Sequence, residues 1–527
     1  MGALTGREPA SPLSGREPAG SLARLLAWRL AEAPDRGFLY VEHEGPWTFA
    51  QLGAAAVDLA GRLDMVGAGD RVVVRTGNDE RFLAAAAAIW SRQGAVVPMH
   101  PAAPAEEVAR VVAALDVRAV ICDPADPAAA TLTVPAVAFD RFAAVDNADT
   151  HALARSFEAP SEDVGGRAAV VLLTSGTTGE PKGVVLTHEN AWANLAAMVS
   201  AFRTETGPTP MAAESKPPNL VANPLSHTSG VIRILHGLYV GRRVALLRKF
   251  DGHTTKELID RHGIDNLTIN PTMLRMLLDS LEPGEDLGPV RYVASGTAPL
   301  PPALREEFEA RFKVPVLQAY GQTEAFGAVC IESARDVMAG RRRPGSVGRP
   351  LPGVRLRIVL PGGGDAPTGQ SGEIRVRARA VCAGYLGTDQ SGPLDGDGWL
   401  RTGDLGRLDE DGYLFVTGRI KNVIICGGFN VIPEEVEAAL AEDSAVSESV
   451  VLGMPDERLG EIPVALVVSA AGARTVDERV RPRLAPFKRP RRVFVVDELP
   501  KVANGKVDRA AALALACRLD GRGGSNR

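Results

Sequence analysis

Ten consecutive residues concentrate groups that could do chemistry: Thr174-Ser175-Gly176-Thr177-Thr178-Gly179-Glu180-Pro181-Lys182-Gly183. Hydroxyls donate to phosphate oxygens, glycines let the backbone approach them closely, and the lysine adds positive charge. The segment follows an apolar run ending at Leu173, so it reads as a loop between a strand and a later helix. It is not a Walker A loop, because Gly183 rather than Ser or Thr follows Lys182. A bland solvent loop has no use for so many hydroxyls and glycines beside a lysine.

Further segments follow in order. Asn223-Pro224-Leu225-Ser226-His227 ends on a histidine, and Ser295-Gly296-Thr297 closes an apolar run. Tyr320-Gly321-Gln322-Thr323-Glu324 puts a carboxylate beside a hydroxyl and an aromatic ring, and a hard cation bridging phosphates takes carboxylate oxygens. Thr402-Gly403-Asp404 offers a carboxylate that can accept from two hydroxyls at once. Arg419, Lys421, the pair Gly427-Gly428, and Lys506 within Pro500–Arg509 complete the series. Taken singly, each has an ordinary explanation as a core histidine, a turn aspartate or a solvated charge. Their order and spacing give them meaning together.

That order resembles the adenylate-forming superfamily, which includes acyl-CoA synthetases, luciferases and peptide-synthetase adenylation domains; the likeness is strongest to acyl-CoA synthetases. The motifs span residues 174–509. The resemblance implies that Thr174, Ser175, Gly176, Thr177, Thr178, Gly179 and Lys182 cradle phosphates of ATP. It places Ser295, Gly296 and Thr297 under the adenine and the acyl pocket, and Tyr320 and Gly321 against the adenine. Thr323 would touch the α-phosphate and Glu324 would hold Mg2+. Asp404 and Arg419 would take the ribose, with Arg419 also near phosphate. His227 would gate the acid pocket. Lys421 would be a hinge, Lys506 would reach the substrate carboxylate, and Gly427 and Gly428 would pack against the arm of coenzyme A. Two positions depart from the usual pattern: Ser226 stands where an aromatic residue is common, and Thr297 where a small one is.

The elements that must position these groups show the alternation of βαβ units. Helical patterns at 21–33 and 80–93 are interleaved with strand-like runs at 71–75, 95–98, 117–122, 168–174, 243–247, 266–269 and 290–294, which implies mostly parallel sheet. After Pro350, short strands broken by Gly, Pro and Asp suggest a small antiparallel or barrel-like subdomain. The expected class is α/β: a large N-terminal domain of parallel αβ subdomains plus a small β subdomain, hinged to a small mobile α+β C-terminal domain. Expected limits are a disordered tail at 1–20, where Gly-Arg-Glu-Pro-Ala occurs twice, then the large domain at 21–420, the small one at 421–520 and a loose end at 521–527.

The chain has 527 residues and a formal charge of -5, which gives no reason to expect a nucleic-acid partner. Its five cysteines lack a C-x-x-C pair, so neither a disulfide framework nor a zinc site is indicated and a reducing cytoplasm fits. The alanine-rich run 82–90 is too short to span a membrane. The six basic residues between Arg481 and Arg492 read equally as a solvated face or a docking surface for phosphates or an acidic carrier.

The expected reaction is ATP-dependent activation of a carboxylic acid to an acyl-adenylate, then transfer to coenzyme A; loading of a carrier-protein phosphopantetheine is the alternative, and a homodimer stays open. Thr228, Ser229, Gly230, Val231 and Ile232 follow His227 without an acidic side chain. A substrate ammonium there would lack a counter-charge, so the acid should have no α-amino group and an apolar body.

Overall fold

The computed structural model describes residues 20–139, 149–157, 164–175, 181–206, 216–387, 392–426, 429–456, 458–502 and 505–523. The expected N-terminal tail to residue 19 lies outside them, as do Gly176–Gly179, Gly427 and Gly428.

A seven-stranded sheet forms the first layer, in the order Gly384–Leu386, Pro181–Thr187, Ala168–Ser175, Ala95–Pro98, Arg71–Arg75, Val117–Cys122 and Ala136–Ala138. The last five run parallel, as the βαβ rhythm implies. Helix Glu80–Ser91 starts on the Asp79 carboxylate, which accepts from the Arg81 N–H. Every residue from Phe82 to Trp90 is buried, so this alanine-rich run is a core helix. Among the described residues no helix is long and apolar enough to cross a membrane.

A five-stranded sheet, Asn266–Ile269, Tyr292–Ser295, Val316–Gln322, Gly327–Ile331 and Arg349–Pro350, carries two further motifs at its strand ends. The segment after Pro350 is the expected small β unit. Arg355–Val359, Gly372–Arg377, Leu400–Leu408 and Leu414–Arg419 form one antiparallel sheet. Beyond it, buried residues from Ile424 to Ala516 make a core of their own around a mixed sheet. The chain is therefore a large N-terminal domain joined to a small C-terminal α+β domain, and its last helix runs Arg509–Gly523, past the expected break at 520.

One expectation needs correction. Lys182 and Gly183 are not in a loop leading to a helix. Ala168–Ser175 and Pro181–Thr187 are antiparallel partners, with Thr174 opposite Lys182, so both described ends of the phosphate segment lie on paired strands. Proline is tolerated at the first residue of a strand, which is where Pro181 stands. Gly183 lies against Val171, where an added Cβ would come within 2.6 Å of Cγ1.

Candidate active site

Three groups of side chains converge from separate sheets. The first hangs on Asp404. Antiparallel pairing sets it opposite Arg419, and the Arg419 guanidinium reaches its Oδ1 at 2.6 Å. The Tyr320 hydroxyl, from the end of the five-stranded sheet, donates to Oδ2 at 2.7 Å. Thr402 fixes the turn, its hydroxyl donating to the Ile374 carbonyl and accepting from the Asp404 N–H. Asp404 is almost fully buried, yet a carboxylate with two occupied acceptor positions has capacity for two more. Burial and the Asp404 charge raise the Tyr320 phenol well above its ordinary pKa, so it stays a donor.

The second group surrounds Glu324. The Tyr385 hydroxyl donates to its Oε1 at 3.1 Å, and the Lys182 ammonium lies over the Tyr385 ring, 3.2 Å from the centroid. Burial lowers the Lys182 pKa against the opposing pull of Glu324. The neighbouring Thr323 hydroxyl accepts from Thr228 at 2.9 Å, which ties this group to the helix Thr228–Val240. The chain reverses sharply here: a Cβ on Gly321 would stand 1.9 Å from the Gly327 carbonyl oxygen, so only glycine fits.

The third group joins the acid side to the C-terminal domain. His227 stands at the N-terminus of Thr228–Val240. Burial, then the charge of Lys506, then His100 depress its pKa. Lys506 is itself lowered by burial and by Arg419, and is held up by Asp404. Its charge is thus felt by His227 on one side and by the Asp404–Arg419 pair on the other. The loop that carries it touches the large domain where the Thr272 hydroxyl meets the Gly505 carbonyl at 3.5 Å. Lys421 adds charge beside Arg419, Asp404 and Glu324, and burial lowers its pKa.

The structure thus brings His227, Tyr320, Thr323, Glu324, Lys182, Asp404, Arg419, Lys421 and Lys506 to one cleft. Thr174 also stands beside Lys182 on the paired strand, its hydroxyl 3.5 Å from the Lys182 carbonyl oxygen. Ser175 ends its strand. Among the described residues, the buried Ser295 hydroxyl has no partner, nor do the Ser226 hydroxyl and the Gln322 Nε2; buried polar atoms left open in this way suit a polar ligand. Gly296 lies against Ala319. Thr297 holds a left-handed φ of 70°, a strained choice for a β-branched residue, worth roughly 1–3 kcal/mol and found mostly at functional turns.

Two residues at the site escaped the sequence reading. Tyr385 has no motif around it, and it reaches Glu324 because Gly384–Leu386 pairs with Pro181–Thr187. Asn78 holds the His227 loop: it donates to the carbonyls of Asn223 and Leu247 and accepts from the Leu225 N–H at 2.7 Å. In the basic run 481–492, Arg481, Arg483, Lys488 and Arg492 pair with Asp477, Glu442, Glu435 and Asp520.

Comparison with known proteins identifies the family. A family model described as AMP-binding enzyme covers residues 26–386, and one for the AMP-binding enzyme C-terminal domain covers 435–506. The sulfoacetate–CoA ligase of Cupriavidus necator is 34% identical over 516 residues, 94% of this chain and 97% of the relative. The ATP-bound structure of MatB from Rhodopseudomonas palustris superposes with a TM-score of 0.81 at 29% identity, over 94% of this chain and 99% of that one. The O-succinylbenzoate coenzyme A synthetase (MenE) of Bacillus subtilis, in complex with ATP and magnesium ion, gives 0.76 at 28% identity, over 92% and 98%. The chain belongs to the AMP-binding enzyme family, within the adenylate-forming superfamily, and is most like its acyl-CoA synthetases.

Proposed function

We propose that this protein joins a carboxylic acid to the thiol of coenzyme A in two steps, through an acyl-adenylate. The observation that carries the reading is the convergence of Tyr320 and Arg419 on Asp404 with Lys182 and Tyr385 at Glu324, to which the C-terminal loop of Lys506 adds charge. In the first step a carboxylate oxygen attacks the α-phosphorus of ATP, and pyrophosphate leaves with the electrons of the broken P–O bond. The obstacle is repulsion between two anions, so the site must supply positive charge and alignment.

Lys506 neutralises the approaching carboxylate and the α-phosphate. Thr174, Ser175, the loop to Gly179 and Lys182 take the other phosphates, and Thr323 donates to the α-phosphate. Tyr320 and Gly321 flank the adenine, with Ser295, Gly296 and Thr297 beneath it, and Asp404 and Arg419 take the ribose. His227 closes the acid pocket. The donor set fits Mg2+: Glu324 offers one carboxylate, which suffices for an ion otherwise held by phosphates and water. When bound, the ion supplies positive charge at the triphosphate.

In the second step the thiol sulfur attacks the acyl carbon and AMP leaves. We assign the turn at Lys421 as the hinge that withdraws Lys506 and brings in the segment at Gly427 and Gly428. Phe429 beside it is exposed and stacks on Phe487, centroids 4.9 Å apart, which gives the segment an apolar surface to dock. We place the domain limits at 21–420 and 421–523, the end of the last helix. The acid lacks an α-amino group, since residues 228–232, which follow His227, carry no acidic side chain. Five free cysteines fit a reducing cytoplasm.

The test is pyrophosphate release across a panel of carboxylic acids, with and without coenzyme A. Silence with every acid would sink the reading. Acyl transfer only to a phosphopantetheinyl carrier protein would favour the loading-enzyme alternative.

A further inference from the structure

Lys506 is carried on a turn that is firmly held at its root. The Val502 N–H donates to the Lys506 carbonyl at 2.9 Å, and the Gly505 N–H donates to the Val502 carbonyl at 2.8 Å. Lys501 bridges to Val507, and the Asp508 N–H donates to the Pro500 carbonyl at 2.8 Å. The next residue, Arg509, ties the turn to the body of the small domain, its guanidinium donating to Glu437 at 3.3 Å and to the Val451 carbonyl. A turn fixed in this way has little freedom of its own, so the position of Gly505 reports the position of the small domain.

Gly505 rests against Thr272 of the large domain. A Cβ built on Gly505 would stand 3.0 Å from Thr272 Oγ1 and 3.4 Å from both its Cβ and its Cγ2. Gly505 also has a left-handed φ of 80°, which glycine adopts without strain. The hydrogen bond between them, at 3.5 Å, is long, so the contact is made by shape more than by polarity. Thr272 is the second residue of helix Pro271–Ser280, whose start is fixed by the Asn270 side chain, the acceptor for the Met273 N–H at 2.9 Å. That helix follows the strand Asn266–Ile269, whose last residue pairs in parallel with Ser295. Thr272 and the Ser295–Thr297 turn therefore rise from the same edge of one sheet, and the contact at Thr272 fixes the small domain against that edge, far along the chain from Lys421.

We infer that Thr272 is a positioning residue for adenylation: its side chain is the seat that stops the small domain where Lys506 faces the cleft. It acts through Lys506, not on the reacting atoms. The second step withdraws Lys506, so the seat serves the first half-reaction alone. The inference rests on the acyl-adenylate reading above.

The experiment measures the half-reactions separately in the full chain, with the acid that releases most pyrophosphate in the panel above and with the acyl-adenylate of that acid made chemically. Thr272→Phe puts a ring where Gly505 stands and should slow pyrophosphate release by roughly 100-fold, the cost of an ångström-scale misplacement. ATP affinity, the melting temperature and acyl transfer from the supplied adenylate to coenzyme A should stay as in the wild type. Thr272→Val keeps the shape and should keep the rate. A second measurement pairs Thr272→Cys with Gly505→Cys, since the 3.4 Å between the two Cβ positions is at the short end of what a disulfide spans. The oxidised pair, verified by peptide mass, should form adenylate but no thioester, and reduction should restore the thioester. Normal adenylation in Thr272→Phe would overturn the inference, as would proportional loss of both half-reactions in a variant that melts as the wild type does. Thioester formation at the wild-type rate by the oxidised pair would overturn it too. Each of these leaves the acyl-adenylate reading standing; absence of pyrophosphate with every acid in the wild type would remove both.

Discussion

The Lys182 ammonium stands 3.2 Å from the centroid of the Tyr385 ring, and the hydroxyl of that ring donates to Glu324. One tyrosine thus positions the Lys182 ammonium with its face and the Glu324 carboxylate with its edge.

Those two roles separate by substitution. Tyr385→Phe keeps the ring under Lys182 and removes one hydrogen bond to a charged acceptor, worth about 1.5–3 kcal/mol. The expected effect is a loss of roughly tenfold or more in kcat/KM for MgATP, read in pyrophosphate exchange. Tyr385→Ala removes the cation–π contact as well and should cost several-fold more. Equal activity of Tyr385→Phe and the wild type would show that Glu324 needs no such anchor.

Lys506→Ala should remove most adenylate formation, by roughly 100- to 1000-fold, as when a charge-stabilising donor is lost. The dissociation constant for ATP should change little, because Lys506 arrives on the small domain. Burial lowers its pKa from the ordinary 10.5, so adenylation in the wild type should decline with rising pH before 10.5 is reached. Single-turnover adenylation at normal rate in Lys506→Ala would end the assignment.

Lys421→Pro should divide the half-reactions. Lys421 is central in the short 3-10 turn Ile420–Asn422, a place where a proline can be accommodated while its φ is locked. Pyrophosphate release should be near normal and thioester formation strongly reduced. Equal loss of both in a folded variant would argue against alternation at this turn.

His188 supplies a pH dependence unrelated to chemistry. It is fully buried, its Nδ1 accepts from the Leu22 N–H at 3.0 Å, and burial pushes its pKa down to about 3. The folded protein keeps it neutral, while the unfolded chain takes up a proton below about 6.5. Stability contributed by this group is therefore intact above 6.5 and is lost as pH falls from 6.5 toward 3, by up to about 1.4 kcal/mol per unit. Thermal unfolding between pH 7 and 5 should show a steeper fall for the wild type than for His188→Asn, which keeps an acceptor without titrating. Parallel curves would refute this.

The site motifs were legible because each packs its chemistry into a few adjacent residues, as in Tyr320–Glu324 or Thr402–Asp404. The parallel strands were legible because runs such as residues 168–173 are apolar throughout. Tyr385 was not, because it joins the site only when its three-residue strand adds to the edge of one two hundred residues earlier, and a pairing that distant leaves no local trace. The strand at Lys182 was hidden because Pro181 and Gly183 imitate a turn while serving as a strand start and a close-packing position.

Asp404 and Arg419 pair across neighbouring strands, and the strand Leu414–Arg419 ends at Arg419 itself, just before the turn to the small domain. Whatever occupies Asp404 therefore loads the post from which that domain hangs. Release of the nucleotide and the swing of the domain would share one mechanical path, and slack at one end would be felt at the other.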